Sequence, residues 1–262
     1  MKIRLKSLFW WCFCITVTLA SSMGTQAIAQ PLHNTNVVLL SEKTTNSLTP
    51  TISASELFRH AYENRYTWNP QFPGYMATVE LKQGKENYKG HIRVNSDMGV
   101  EVTGIDNKDA RQTLENQLRM LIIHRRQVPF EVAHKNSTFR LGTTDRNGAV
   151  EIFEQEDHKE SHYKVFHNQL VQVNRLLGQT AVTVDTLNSG VTPQGYLATR
   201  YRTTFRQPQT QQVLGKEESE DTYKKIGGYY VLTHQVIKDF QQGQQTTTEL
   251  NFLDIQLLSG NR

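Results

Sequence analysis

From Thr138 to Leu258 the chain reads as an almost unbroken series of antiparallel strands, and this run constrains the fold more than any other feature. Its segments are Thr138 to Leu141, Ala149 to Phe153, His162 to Phe166, Leu170 to Val173, Ala181 to Leu187, Tyr196 to Arg206, Gln211 to Lys224, Tyr229 to Phe240 and Thr246 to Leu258. Short turns part them: Asn147-Gly148, His167-Asn168, Pro208-Gln209, Gly227-Gly228 and Gln242-Gly243. Asn-Gly and Gly-Gly suit the two-residue hairpin turns whose central residues take positive φ. The last strands are long, and long antiparallel strands twist and curl. A strongly curved antiparallel sheet or part-closed barrel follows.

Two helices precede or interrupt the strands. Around Ser53 to Arg65, Ser53 and Glu56 have capping-box spacing, and Leu57, Phe58, Ala61 and Tyr62 form one apolar face. Around Asn107 to Arg126, Asp106 is placed to cap, Leu114, Leu118, Leu121 and Ile122 form the buried stripe, and Arg125 and Arg126 oppose the dipole at the far end. Between the helices, Tyr75, Ala77, Val79 and Leu81 alternate with polar residues, as do Tyr88, Gly90, Ile92 and Val94, and a short third strand carries Val100 and Val102. The class is α+β, mainly β, with two amphipathic helices packed on the sheet.

The N-terminus reads as targeting. Lys2, Arg4 and Lys6 precede the apolar run Leu8 to Ala20, and Ala27-Ile28-Ala29 is a small-x-small cleavage pattern before Gln30. Residues 1–29 are thus expected to be a signal peptide, 30–52 a flexible lead-in, and 53–262 a single mainly-β domain. The apolar run is about 13 residues, and a bilayer-spanning helix needs roughly 20. No later run suggests a transmembrane segment. The whole chain is +4, with 29 basic and 25 acidic residues; the three basic residues of the leader account for most of this excess. A nucleic-acid-binding reading therefore loses its support. Cys12 and Cys14 also leave with the leader, so the exported chain has neither disulfide nor thiol chemistry. The expected location is periplasm, lumen or extracellular space.

Catalytic and cofactor motifs are missing: no nucleophile elbow, phosphate loop, His-Glu-x-x-His or calcium loop occurs. No catalytic residue, metal ligand or cofactor is expected, and the protein is read as not an enzyme. His158, His162 and His167 lie among carboxylates, but the odd spacing of the last two puts them on opposite faces of a strand. Glu217-Glu218 and Glu220-Asp221 read as an exposed charged strand. The one candidate ligand-binding group is aromatic: Tyr66, Trp68, Phe72 and Tyr75. Such residues either rim a hydrophobic cavity or plug the junction between helix and sheet.

The stretch Glu56-Leu57-Phe58 through Ala61-Tyr62-Glu63-Asn64-Arg65-Tyr66-Thr67-Trp68, followed by Phe72-Pro73-Gly74-Tyr75, resembles an uncharacterised exported family of photosynthetic bacteria, a domain of unknown function. Val100-Glu101-Val102-Thr103-Gly104 and the strands after Tyr223 extend the resemblance over most of residues 53–258. More remotely, Lys89-Gly90-His91-Ile92-Arg93-Val94 and Tyr223-Lys224-Lys225-Ile226-Gly227-Gly228-Tyr229-Tyr230 are similar to strands of periplasmic lipoprotein carriers. That resemblance implies a bent sheet whose helix-covered hollow takes acyl chains. Two functions remain open: a carrier or binding protein for a lipid-like or amphipathic ligand, or a protein–protein assembly module of the envelope or a lumen, with no ligand cavity.

Overall fold

The computed structural model describes residues 52–157 and 159–259. The expected leader and most of the lead-in lie outside the described residues, as does His158.

Elements follow one another as α1 (Ala54–Glu63), β1 (Gly74–Gln83), β2 (Glu86–Asn95), β3 (Val100–Thr103), α2 (Lys108–Arg125) and α3 (Phe130–Ala133). Then come β4 (Ser137–Thr144), β5 (Val150–Glu156), β6 (Lys159–Phe166), β7 (Gln169–Leu177), β8 (Thr180–Thr192), β9 (Gly195–Arg206), β10 (Val213–Ile226), β11 (Tyr229–Gln241) and β12 (Gln244–Leu257). All twelve strands form one sheet in the order β3-β2-β1-β12-β11-β10-β9-β8-β7-β6-β5-β4. Every neighbour is antiparallel, and β4 to β12 form an uninterrupted meander. The sheet curves but does not close. The two-residue turns adopt the expected geometry: His167 and Asn168 have φ of 47° and 55°, and Gln242 and Gly243 have φ of 51° and 76°.

β3 and β4 are consecutive strands at opposite edges of the sheet, so the intervening helices must carry the chain across it. Twelve flat strands would put those edges about 50 Å apart, whereas the 18-residue α2 is about 27 Å long. Curling shortens the crossing: β10 and β12 approach one another past β11.

Helix α1 has the expected capping box, with the Ser53 hydroxyl accepting from the Glu56 N–H at 3.2 Å and the Glu56 carboxylate accepting from the Ser53 N–H at 3.0 Å. Helix α2 differs in its cap. Asn107, not Asp106, caps it, accepting from the Ala110 N–H at 3.0 Å. The four-residue α3 is an addition to the expected elements: it starts after Pro129, whose fixed φ favours a helix start, and is too short to show a helical period.

Two cores result. Ala110, Leu114, Leu118 and Ile122 of α2 pack with Tyr75, Val79, Leu81, Ile92, Val94, Leu250 and Phe252 of the β1, β2 and β12 end. Phe58 and Ala61 of α1 pack with Phe130, Ile152, Tyr163 and Val165 of the other end. Between these ends, Leu197 of β9 joins the first core, and Val182, Thr204, Ser219 and Asp221 of β8, β9 and β10 are also buried.

Candidate functional site

In the middle of the sheet the strand ladder parts. Pairing of β9 with β10 stops at Arg200 and Glu220, while β9 continues with β8 to Gly195 and β10 continues with β11 to Ile226. β8 is irregular at the same level, with register shifts at Thr186/Asn188 and Asn188/Ser189. The split leaves a cavity of about 500 Å³ lined by Leu187, Asn188, Thr199, Arg200, Glu220 and Asp221. Neighbouring residues of a strand face opposite sides of its sheet. A cavity touched by both Glu220 and Asp221 therefore passes the edge of β10 rather than lying on one face.

The segment after α1 straps the lower end of the split. Tyr66 donates its N–H to the Tyr196 carbonyl on β9 at 2.8 Å, and Tyr196 donates its own to Asn64 at 2.9 Å. The Tyr66 hydroxyl accepts from the N–H of Tyr230 on β11 at 2.7 Å, and the Trp68 indole N–H donates to the Tyr230 carbonyl at 3.1 Å. Gly195 permits the approach: a Cβ there would lie 2.3 Å from the Asn64 carbonyl oxygen.

Tyr66, Trp68, Phe72 and Tyr75 all belong to this strap and its anchor, and all are 2% exposed or less. Trp68 stacks on Phe72 with centroids 4.1 Å apart, and Tyr75 meets both rings edge-on. The structure brings the four together as a packed plug, and none of them lines the cavity of the split.

Above the plug the inner face is polar. Asp221 is buried; its carboxylate accepts from the Gln235 amide and the Tyr223 hydroxyl, each at 2.8 Å. Tyr223 in turn accepts from Arg125 at 2.7 Å. Arg125, expected simply to finish α2, is itself buried and points into this network. Burial raises the Asp221 pKa, against the lowering effect of Gln235, Tyr223 and Arg125.

Glu217 lies two positions before Ser219 and faces Asp239 across the β10–β11 ladder. The expected exposed charged strand is thus only half realised. Glu218 pairs outward with Arg202 at 2.8 Å, while Asp221 is buried and the half-buried Glu217 shares its face of β10. Desolvation first, then the opposing Asp239 charge, raise the Glu217 pKa from 4.5 to about 7. The native state thus holds this proton longer than the unfolded chain. Stability contributed by the protonated form is present below 4.5 and is lost as pH rises through 7. Glu217→Gln imitates the protonated acid. It is expected to raise stability at pH 8 by roughly 1–2 kcal/mol, after discounting for solvent in the hollow, and to leave it nearly unchanged at pH 4. Urea unfolding at the two pH values checks this; equal shifts at both would contradict it.

A second polar cluster sits beneath α1. Glu154 is buried and accepts from Ser137 at 2.7 Å and Tyr163 at 2.6 Å, with His134 Nδ1 at 2.5 Å. Arg175 donates to the same Tyr163 hydroxyl at 2.6 Å. A His–carboxylate pair is a candidate for acid–base chemistry. This one is walled in by Phe58, Tyr62, Phe130 and Phe139, and neither member lines the cavity of the split. Its geometry ties α3 and β4 to β5 and β6. Among the described residues no three His, Cys, Asp or Glu side chains are grouped to hold a metal. His162 lies 2.7 Å from Glu160 on the sheet surface.

A family model described as "Protein of unknown function (DUF3386)" matches residues 49–258, four-fifths of the chain. No curated protein matches it in sequence. Among solved structures, a LolA superfamily protein from Nitrosomonas europaea is 12% identical, with 80% of this chain and 96% of that one covered and a TM-score of 0.34. The MucA/MucB complex of Pseudomonas aeruginosa contains a chain 12% identical, covering 79% and 99%, at 0.24. A DUF1329 family protein from Desulfovibrio piger is 9% identical, covering 81% and 96%, at 0.27. At TM-scores this low these likenesses lend no functional weight.

Proposed function

The chain belongs to the DUF3386 family, which names no activity, and on that premise we propose that it is an exported, non-catalytic binding protein for an amphipathic ligand held in the split middle of its sheet. One observation carries the reading: in the middle of the sheet β9 and β10 part around a cavity of about 500 Å³. That volume lies in the range of small-molecule sites, roughly 300–1,000 Å³. The polar walls Asn188, Thr199, Glu220 and Asp221 suit a head group, and Leu187 offers the beginning of an apolar surface. The leader pattern Lys2 to Ala29 supports export. Enclosure of the His134–Glu154 pair in an aromatic core supports a non-catalytic role. Ligand contact with Tyr66, Trp68, Phe72 and Tyr75 enters the proposal through the opening of their stack.

Trp68 makes this testable. The other two tryptophans, Trp10 and Trp11, precede Gln30, so a chain begun at Gln30 has Trp68 as its single indole. Native mass spectrometry of such a chain from its own envelope should carry a bound lipid or other amphipathic molecule near one-to-one. Titrating the stripped protein with fluorescent fatty acid should quench or shift Trp68 emission. A clean unliganded mass together with an unchanged emission would overturn the proposal. The second reading, an assembly module, is favoured by β4, an eight-residue strand with one unpaired edge in the described sheet, which another chain can extend.

A further inference from the structure

We propose that Arg65, Arg125 and Arg175 form a phosphate-binding site on the helix side of the sheet, where the end of α2 meets the strap and β7. This goes beyond the binding reading above, since none of the three lines the cavity of the split.

The fold gathers the three from distant parts of the chain. Arg125 is the last residue of α2, and its carbonyl accepts from the Trp68 N–H at 2.6 Å. Arg65 opens the strap and bridges to Tyr196 on β9. Its Nε donates to the Tyr62 carbonyl at 2.8 Å, and its guanidinium lies 3.9 Å over the Tyr62 ring. Arg175 of β7 donates to the hydroxyl of Tyr163, whose ring packs on Phe58 of α1. All three charges act on one imidazole: desolvation first, then Arg125, Arg65 and Arg175, lower the His124 pKa from 6.5 to about 3. Burial raises the Tyr196 pKa, and Arg65 and Arg125 together oppose that shift, after the Leu170 N–H. Three like charges thus share one neighbourhood, an arrangement that costs energy until an anion joins it.

Their donors are also left over. Arg125 is 8% exposed; Nη2 donates to Tyr223 at 2.7 Å, and Nη1 approaches only the His124 carbonyl, at 3.5 Å. Its Nε is buried with no partner, and so is the Nε of Arg175. Among the described residues none of the three arginines forms an ion pair. Asp221 and Glu154 are reached only through the hydroxyls of Tyr223 and Tyr163. Glu156 also acts on Arg175, but it is exposed, where solvent screens it. A buried guanidinium with neutral partners is stabilised by an anion that reaches it, and its planar fork suits phosphate oxygens. Donors from three side chains outnumber the two oxygens of a carboxylate and match the three terminal oxygens of a phosphate.

Phosphate can arrive as the free ion or as a lipid head group, and the probes separate the two. The chain begun at Gln30 is titrated with inorganic phosphate, dodecyl phosphate, acetate and dodecanol at constant ionic strength, with calorimetry and Trp68 emission as readouts. Phosphate should bind at about 1 mM or tighter, and acetate about tenfold or more weakly. Arg65→Gln and Arg175→Gln, at partly exposed positions, should each weaken phosphate binding about tenfold, the size of one charge-assisted hydrogen bond. Arg125→Gln should do the same, with far-UV circular dichroism confirming that the sheet persists. Arg140→Gln removes an equal charge from the exposed face of β4 and should change nothing. Dodecyl phosphate binding more tightly than phosphate would support the site and identify a lipid head group; equal affinity would support it and identify the free ion. Phosphate binding with no effect of the dodecyl chain and no dodecanol binding would keep the site and overturn the amphipathic reading. Dodecanol binding without phosphate binding would overturn the site and leave the amphipathic reading standing. Equal affinity for acetate would overturn the phosphate assignment. Phosphate affinity unchanged in the folded Arg65, Arg125 and Arg175 variants would overturn this placement.

Discussion

Replacing Trp68 by alanine should cost about 3–5 kcal/mol of folding stability and lower the melting temperature by roughly 8–15 °C. The indole is 1% exposed, stacks on Phe72 and meets Tyr75, so truncation leaves a cavity that these two neighbouring rings cannot fill. It also removes the donor that ties the strap to Tyr230 on β11. Trp68→Phe separates these contributions: it keeps a ring in the stack and loses only the Nε1 bond, so about 1–2 kcal/mol is expected. Urea unfolding followed by circular dichroism measures both. A Trp68→Ala penalty below about 1 kcal/mol would mean that the quartet is not a plug.

Glu154→Ala should be of similar size, about 3–5 kcal/mol at neutral pH, for an electrostatic reason. Removing this one carboxylate strips partners from His134, Ser137 and Tyr163 together, in a core closed by Phe58 and Phe139. Burial opposes the charged carboxylate, yet bonds from His134, Tyr163 and Ser137 outweigh it and hold the pKa at about 2. The folded value lies below the ordinary 4.5, so the carboxylate's contribution is present above 4.5 and lost as pH falls towards 2. The gap between wild type and Glu154→Gln should accordingly narrow over that acid range. A gap that stays constant from pH 7 to pH 2.5 would show that packing, not charge, carries the effect.

Much of the architecture was legible in residues whose pattern is local. Tyr75, Ala77, Val79 and Leu81 alternate cleanly because only their face of β1 is apolar. His167-Asn168 and Gly227-Gly228 mark turns because their backbones need positive φ. The site was much less legible. Glu217, Glu218, Glu220 and Asp221 are all acidic, so a period of two shows no contrast between faces, although Asp221 is buried and its neighbour Glu220 is exposed. The strap was recognisable as an aromatic cluster, but not as a strap. Its partners Tyr196 and Tyr230 lie more than a hundred residues downstream, and their backbone groups carry no sequence signal. Arg125 read as a helix-end charge because its helical position is identical whether the side chain turns outward or, as here, inward to Tyr223.

The antiparallel ladder between β1 and β12 also dictates an order of events in time. Tyr75 pairs with Leu257, so the first long strand made by the ribosome waits for the last. Hairpins from β4 to β12 close over two-residue to six-residue turns and form early, whereas joining β1 closes a loop of well over a hundred residues at a far greater entropic cost. Until that final registration, β1 to β3 and α2 have no β12 surface to bury against. A chain cut after Gly243 should therefore release its N-terminal third to proteases while much of the meander persists.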